Sequence, residues 1–414
     1  MKPSFLAART CTLSALALAM ALPVLAQPQR VGNEFVVNSN TQSKQHNPVA
    51  AFAPSGGSVI VWENEVNGLR GQLYAKDGSK AGTELGLVAN QNLASLPGEG
   101  TVVTRRDPAV GFLGAGDMLL AWTEETAHLI AYYFHDDRTV LDQDVFVARR
   151  SPSGNLTIPQ RVNVTTAGFQ SQPKLATRNG DAIVVWTGGN DVFARFLSPL
   201  GRPVGNEIKL NSLAGVTARN PSIAVDAAGN FLVAWEGSTT QLDVYARLFD
   251  KNGNPRGTEV RINTDTNGLQ RRPAAAAAKD GSWMIVWQGQ HGTRVQARIY
   301  GQAVSQTGAL VGAQVSVSAG YGDAQISPSI ARTPSGNFFV LWSDWKNPFP
   351  IGLDSVVLSP QGAILTPEDW INEQQMNSWS RTSLATDGNG SFLIPWEGFY
   401  GNDLGITAQR LDIN

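Results

Sequence analysis

ARNPSIAVDAAGNFLVAWEGSTTQLDVYARLFDKNGNPRGTEVRIN, residues 218–263, decides the fold. It divides into four short apolar runs, PSIAV, FLVAW, VYARLF and EVRIN, parted by turn residues such as DAAGN and KNGNPRG. Runs of this length, rich in Val, Ile and aromatic residues and bounded by Gly, Asn, Asp and Pro, are strands. The second run ends in tryptophan, and that ending recurs seven times: at Trp62, Trp122, Trp186, Trp235, Trp287, Trp342 and Trp396. The intervals are 60, 64, 49, 52, 55 and 54 residues. A period of about 50 residues marks a repeat architecture. Seven units of four antiparallel strands, with no helix-length periodic segment, predict an all-β chain: a seven-bladed β-propeller of four-stranded antiparallel blades. The seven tryptophans then belong to the scaffold, packed between neighbouring blades.

One stretch opposes this locally. Ala274 to Ala278 is five alanines, a helix former by propensity alone. Its place in the repeat is that of PVAAF and PSIAV, the first strand of other units, so the repeat overrides propensity. First strands converge on the ring axis, where small side chains let them approach. The ends of the chain predict ring closure. The last unit stops after its third strand, ITAQRLD, while VGNEFVVN (residues 31–38) matches the fourth-strand pattern VGNEIKLN (residues 204–211). The N-terminal strand is expected to complete the last blade, pairing residues 35–38 with residues 406–411 and removing an open edge.

Residues 1–26 stand apart. Lys2 and Arg9 precede an apolar stretch from Leu13 to Leu25 that ends in VLA before Gln27, the pattern of a secretory signal peptide. The expected organisation is a signal peptide over 1–26 and a single propeller domain over 27–414, periplasmic or secreted. The sole cysteine, Cys11, lies in the leader, so the mature chain has no disulfide, thiolate metal site or cysteine nucleophile. Without Lys2 and Arg9 there are 30 basic and 34 acidic residues, and charged residues are 16% of the whole chain. A weakly acidic, sparsely charged chain argues against nucleic acid, which calls for clustered Lys and Arg. No segment is long and apolar enough for a membrane span after signal cleavage. A monomer is expected, with neither cofactor nor bound metal.

The pattern QxxPxVA…GxFVVW…VxARLFDxxGxPxGxExxVN resembles a repeat of exported bacterial propeller proteins and of repeat arrays in large surface proteins. The match spans residues 31–414. The resemblance implies the architecture and leaves the activity open. The SxDxGxTW box of sialidases and the WD dipeptide of WD40 propellers are both absent from the sequence.

On a repetitive scaffold, function concentrates where loops break the repeat. Aligned on the proline that opens the first strand, whose place Ser383 takes in the last unit, the residue two before it is His46, Arg106, Ser171, Arg219, Arg271, Ile326 and Arg381. Four arginines and a histidine at equivalent places on one channel mouth suit a carboxylate, sulfate or phosphate. Alternatively each pairs with a glutamate beside it, and Glu63, Glu236 and Glu397, directly after their tryptophans, are available. The second unit carries an insertion, TEETAHLIAYYFHDDRTVLDQ (residues 123–143), about 15 residues longer than the shortest equivalent loop. Tyr132, Tyr133 and His135 within it are candidate ligand contacts, and an insertion on one blade is a lid, a partner contact or a solvated hairpin. Trp345 and Tyr400, in the loops of adjacent units, are candidate aromatic platforms for a sugar face or a protein hot spot. No catalytic residue is identified: GxSxG, HExxH and phosphate-cradling glycine loops are missing. The composition and motifs favour a non-catalytic propeller that holds a glycan or protein ligand on its loop face. The alternative is a hydrolase or lyase acting on an anionic polysaccharide at the channel mouth.

Overall fold

The structure is a computed structural model. It describes residues 27–41, 43–94, 99–131, 136–178, 180–290, 296–319, 324–346, 349–372, 382–400 and 403–413. They form seven antiparallel sheets, each a blade, in a closed ring. Blade 1 runs through Gln45–Phe52, Ser58–Asn64, Gly68–Tyr74 and Lys80–Val88. Blades 3 to 6 repeat the meander over 170–209, 217–261, 270–316 and 324–370. The five alanines follow the repeat: Gln270–Ala277 is a strand paired with Trp283–Gln290.

Blade 7 is made from both ends of the chain. Its order is Gln29–Val36, Asp403–Asp412, Ser391–Tyr400 and Ala385–Thr386. The closing strand pairs Arg30 with Leu411, Val31 with Arg410 and Phe35 with Ala408, with a bulge between Val31 and Phe35. The Val37 N–H then donates to the Ile406 carbonyl at 2.8 Å.

The core is distributed as seven apolar slabs, one at each blade junction. Trp62 packs with Val37, Leu393 and Ile406 of blade 7. Trp122 packs with Val59, Val61 and Leu87 of blade 1, and Trp287 with Leu232, Ala234 and Val244 of blade 4. The other four repeat the rule, each indole lying against the preceding blade. All seven are 0–1% exposed. Removing one indole would cost about 3–5 kcal/mol through lost burial and the cavity left behind. In three blades the ring N–H is satisfied by the glutamine that opens the first strand: Trp62 on Gln45 at 2.7 Å, Trp186 on Gln170 at 3.0 Å and Trp287 on Gln270 at 2.9 Å.

Polar latches reinforce the slabs. On the outer rim the glutamate of the GxE turn accepts backbone N–H groups leaving the preceding blade. Glu84 takes Ser39 at 2.8 Å, Glu207 takes Val164 at 2.7 Å and Glu259 takes Ser212 at 3.1 Å. The glycine of the same turn is left-handed, as at Gly205 (φ 65°) and Gly257 (φ 113°). Its carbonyl is pinned by an arginine of the third strand, Arg195 and Arg247 respectively, at 3.0–3.1 Å. The repeated charges on this rim are therefore architectural.

Candidate functional site at the channel mouth

Every first strand of blades 1 to 6 contains a bulge at the same place. Pairing with the second strand slips between His46 and Val49, Arg106 and Ala109, Ser171 and Lys174, Arg219 and Ser222, Arg271 and Ala274, and Ile326 and Ser329. At each bulge the residue before the proline has a left-handed backbone: Asn47 (φ 48°), Asp107 (50°), Gln172 (57°), Asn220 (50°), Arg272 (51°) and Ser327 (55°). Non-glycine residues seldom adopt this conformation, and a following proline pushes further against it. These six are the non-glycine residues with positive φ among the described residues. A recurring local cost of this kind marks a position the surrounding structure over-determines.

What over-determines it is a latch to the preceding blade. The residue directly after the repeated tryptophan accepts the pre-proline N–H of the next blade. Glu63 takes Asp107 at 2.6 Å, Thr123 takes Gln172 at 3.1 Å and Thr187 takes Asn220 at 3.1 Å. Glu236 takes Arg272 at 2.8 Å, and Glu397 takes Asn47 at 3.0 Å across the ring closure. The consequence is a ring of side chains turned onto the axis. The mouth encloses a cavity of about 410 Å³, within the range of small-molecule sites. Asn47, Asp107, Gln172, Asn220, Arg272, Ser327 and Thr382 line it as a first tier, above the prolines. The residues after the prolines form a second tier: Val49, Ala109, Lys174, Ser222, Ala274 and Ser329, each paired in register with the second strand. The first tier is polar all round.

The residues singled out two positions before the proline lie one step away from this lining. His46 bridges two carboxylates, its Nδ1 at 3.3 Å from Glu397 and its Nε2 at 3.2 Å from Glu65. The hydrogen bond to Glu397 raises its pKa above the usual histidine value against the opposing effect of burial. Arg219 donates to Glu236 at 3.1 Å, and Arg106 lies 3.3 Å from Glu125. At these three positions the structure has carboxylate pairing, the alternative weighed against an anion site, although Arg106 chooses Glu125 rather than Glu63. Arg271 is exposed and its side chain makes no hydrogen bond or ion pair among the described residues. Arg381 lies outside the described residues.

Glu63 differs from its counterparts. It is 8% exposed, and its Oε1 accepts both the Asn47 amide at 2.8 Å and the Asp107 N–H. Burial, with the Asp107 carboxylate next to it, pushes its pKa up to about 7. Glu236, by contrast, holds Arg219 on one oxygen and Asn220, at 2.9 Å, on the other.

The insertion of the second unit is paired sheet. Met118–Ala131 and Asp136–Arg150 run on as a long hairpin. The first strand of the blade, Glu99–Phe112, lengthens to match it, and Gln91–Ala94 adds a fifth strand. Its base is knitted by Glu125, which is buried and receives Arg106, Arg138 and, at 2.6 Å, Gln143. Tyr132, Tyr133 and His135 lie outside the described residues. Trp345, 36% exposed, stands near the end of the second strand of blade 6. Tyr400 ends the second strand of blade 7, in register with Asp403, and its side chain is outside the described set. Among the described residues no group of three or more His, Cys, Asp or Glu is placed to hold a metal ion, and no helix is long and apolar enough to cross a membrane.

No family model and no curated protein matches the chain. Solved structures do. A protein of unknown function from Dyadobacter fermentans is 12% identical with a TM-score of 0.56, covering 95% of this chain and 100% of that one. A PL25 ulvan lyase, a polysaccharide lyase bound to -[GlcA(1-4)Rha3S]-, is 11% identical with a TM-score of 0.55, covering 93% and 94%. A NanB sialidase variant from Streptococcus pneumoniae is 7% identical with a TM-score of 0.51, covering 81% and 70%. At these identities the likeness is one of fold: this chain is a seven-bladed β-propeller whose structural neighbours include carbohydrate-active propellers.

Proposed function

We propose that the protein is an exported, monomeric, non-catalytic propeller that holds a glycan at the loop-face mouth of its channel. The observation that carries this reading is the first tier of the cavity. Six bulges, each followed by a proline and five of them held by a latch, present amide, hydroxyl and charged side chains around one opening. Bulges re-aim side chains beside functional sites, and a preset backbone lowers the ordering cost of binding. A concave wall whose outer tier is polar and whose inner tier carries small apolar groups suits the hydroxyls and ring faces of a sugar. Glu63, Glu236 and Glu397 are occupied as inter-blade latches, which favours binding over proton transfer. The ulvan lyase and sialidase of like fold add support at the level of ligand class.

The test is titration calorimetry with neutral and acidic oligosaccharides, on the parent and on Ala274→Phe. Ala274 lines the cavity and is half-buried, so the ring fills the mouth. Loss of binding with an unchanged melting temperature is the expected result, and binding untouched by the plug would overturn the assignment. A second reading, a hydrolase or lyase on an anionic polysaccharide, draws on the adjacent carboxyls Glu63 and Asp107, since a carboxyl titrating near neutrality can move protons. Shortening of the titrated oligosaccharide would decide for it.

A further inference from the structure

Resting on the carbohydrate reading, we propose that the glycan carries an anionic substituent, a carboxylate or sulfate, seated between Lys174 of blade 3 and Arg272 of blade 5. The case is made by the places where the cavity departs from its own repeat. In the second tier, five blades supply Val49, Ala109, Ser222, Ala274 and Ser329; only Lys174 is charged there. It is exposed, unlike its half-buried or buried equivalents. In the first tier the corresponding departure is Arg272, where blades 1 and 4 use Asn47 and Asn220. Its guanidinium donates to Ser327 and its backbone N–H to Glu236.

The two cations flank blade 4, whose lining residues Asn220 and Ser222 are neutral. Asp107, on blade 2, is the lining carboxylate and lies on the far side of Lys174's blade from Arg272. Glu236 stands behind the sector with Arg219 on its other oxygen, and Glu63 is buried at the junction of blades 1 and 2. The sector from blade 3 to blade 5 is therefore the electropositive side of the mouth. Lys as a point charge and Arg as a planar fork are complementary means of holding a carboxylate or sulfate.

The scaffold itself supplies the test. Lys174→Ser installs the residue of blades 4 and 6, and Arg272→Asn installs that of blades 1 and 4, a residue type tolerant of left-handed backbone. Binding is measured with two matched pairs: oligogalacturonate against its methyl ester, and dextran sulfate against dextran. The expected result is that the charged member of one pair binds and the neutral member binds more weakly, the pair that responds naming the substituent. The double variant should lose about ten- to hundred-fold in affinity per cation for that member alone, added salt should reproduce the loss, and the melting temperature should hold. Equal binding of charged and neutral members, unchanged in the double variant, would overturn the anionic substituent and leave the carbohydrate reading standing. Charge-selective binding that survives both substitutions would place the anion elsewhere and overturn this site. Binding of none of the four would remove both.

Discussion

The junctions of blades 1 and 2 and of blades 4 and 5 are built to one plan with opposite electrostatics. In both, a glutamate after the tryptophan accepts the pre-proline N–H of the next blade, at 2.6 Å for Glu63 and 2.8 Å for Glu236. In both, it also accepts the amide of its own blade's pre-proline asparagine, at 2.8 and 2.9 Å. Around Glu236 stand Arg219 and the Arg272 backbone; around Glu63 stands the carboxylate of Asp107. The shared part is the hydrogen bond to backbone, and that bond is the latch. The charge is a local variable, favourable at one junction and costly at the other, and Thr123 and Thr187 perform the task with none.

The comparison breaks most severely at the ring closure. Deleting residues 29–36 removes a whole fourth strand from blade 7 and with it the apolar contacts of Phe35 and the pairing to residues 407–412. At about 0.5–1.5 kcal/mol per net hydrogen bond plus lost packing, the loss is several kcal/mol. It should appear as a large fall in the denaturant midpoint, and an unchanged midpoint would refute closure. Glu236→Ala comes next. It leaves the Asn220 amide and the Arg272 N–H without their acceptor and releases the half-exposed Arg219, a cost of about 1–3 kcal/mol for the unsatisfied groups, seen by chemical denaturation.

Glu63→Gln should act in the opposite direction. The glutamine oxygen keeps both hydrogen bonds and abolishes the buried charge. Because the folded pKa, about 7, exceeds the ordinary glutamate value of 4.5, the folded state keeps a proton that the unfolded chain has released in that window. Stability of the parent thus falls as pH rises from 4.5 through 7. The variant should be more stable by up to about 3 kcal/mol well above pH 7 and by nothing below 4.5. Equal pH profiles for variant and parent would show that Glu63 is not the group responsible. The smallest effect is expected at His46, whose raised pKa stabilises the fold below about 6.5 and ceases to do so as pH rises through the folded value. His46→Gln should flatten that part of the profile without changing it at high pH.

The regular blades and blade 2 show how far the sequence could be read. In the regular blades the period of the tryptophans, the turn residues and the matching segments VGNEFVVN and VGNEIKLN suffice, because local strand chemistry and the repeat agree. In blade 2 the lengthened loop is visible as extra residues between Trp122 and the third strand. That the first strand lengthens with it, and that Gln91–Ala94 joins as a fifth strand, is a matter of long-range pairing. The rim residues teach the same lesson at finer scale. A regular strand alternates faces at every residue, so an alignment on the proline marks His46, Arg106, Arg219 and Arg271 as equivalent without fixing which neighbour meets the axis. A bulge shifts that alternation by one position.

The sequence by itself determined the number of blades, their strand order, the place of each tryptophan and the mode of closure. These follow from short-range patterning repeated seven times, where each copy corroborates the others. Only the tertiary structure decided which polar residues face the channel and which serve as latches. The left-handed pre-proline backbone is locally unfavourable and exists because an acceptor from the preceding blade, 33 to 49 residues away in blades 2 to 5, holds it in place.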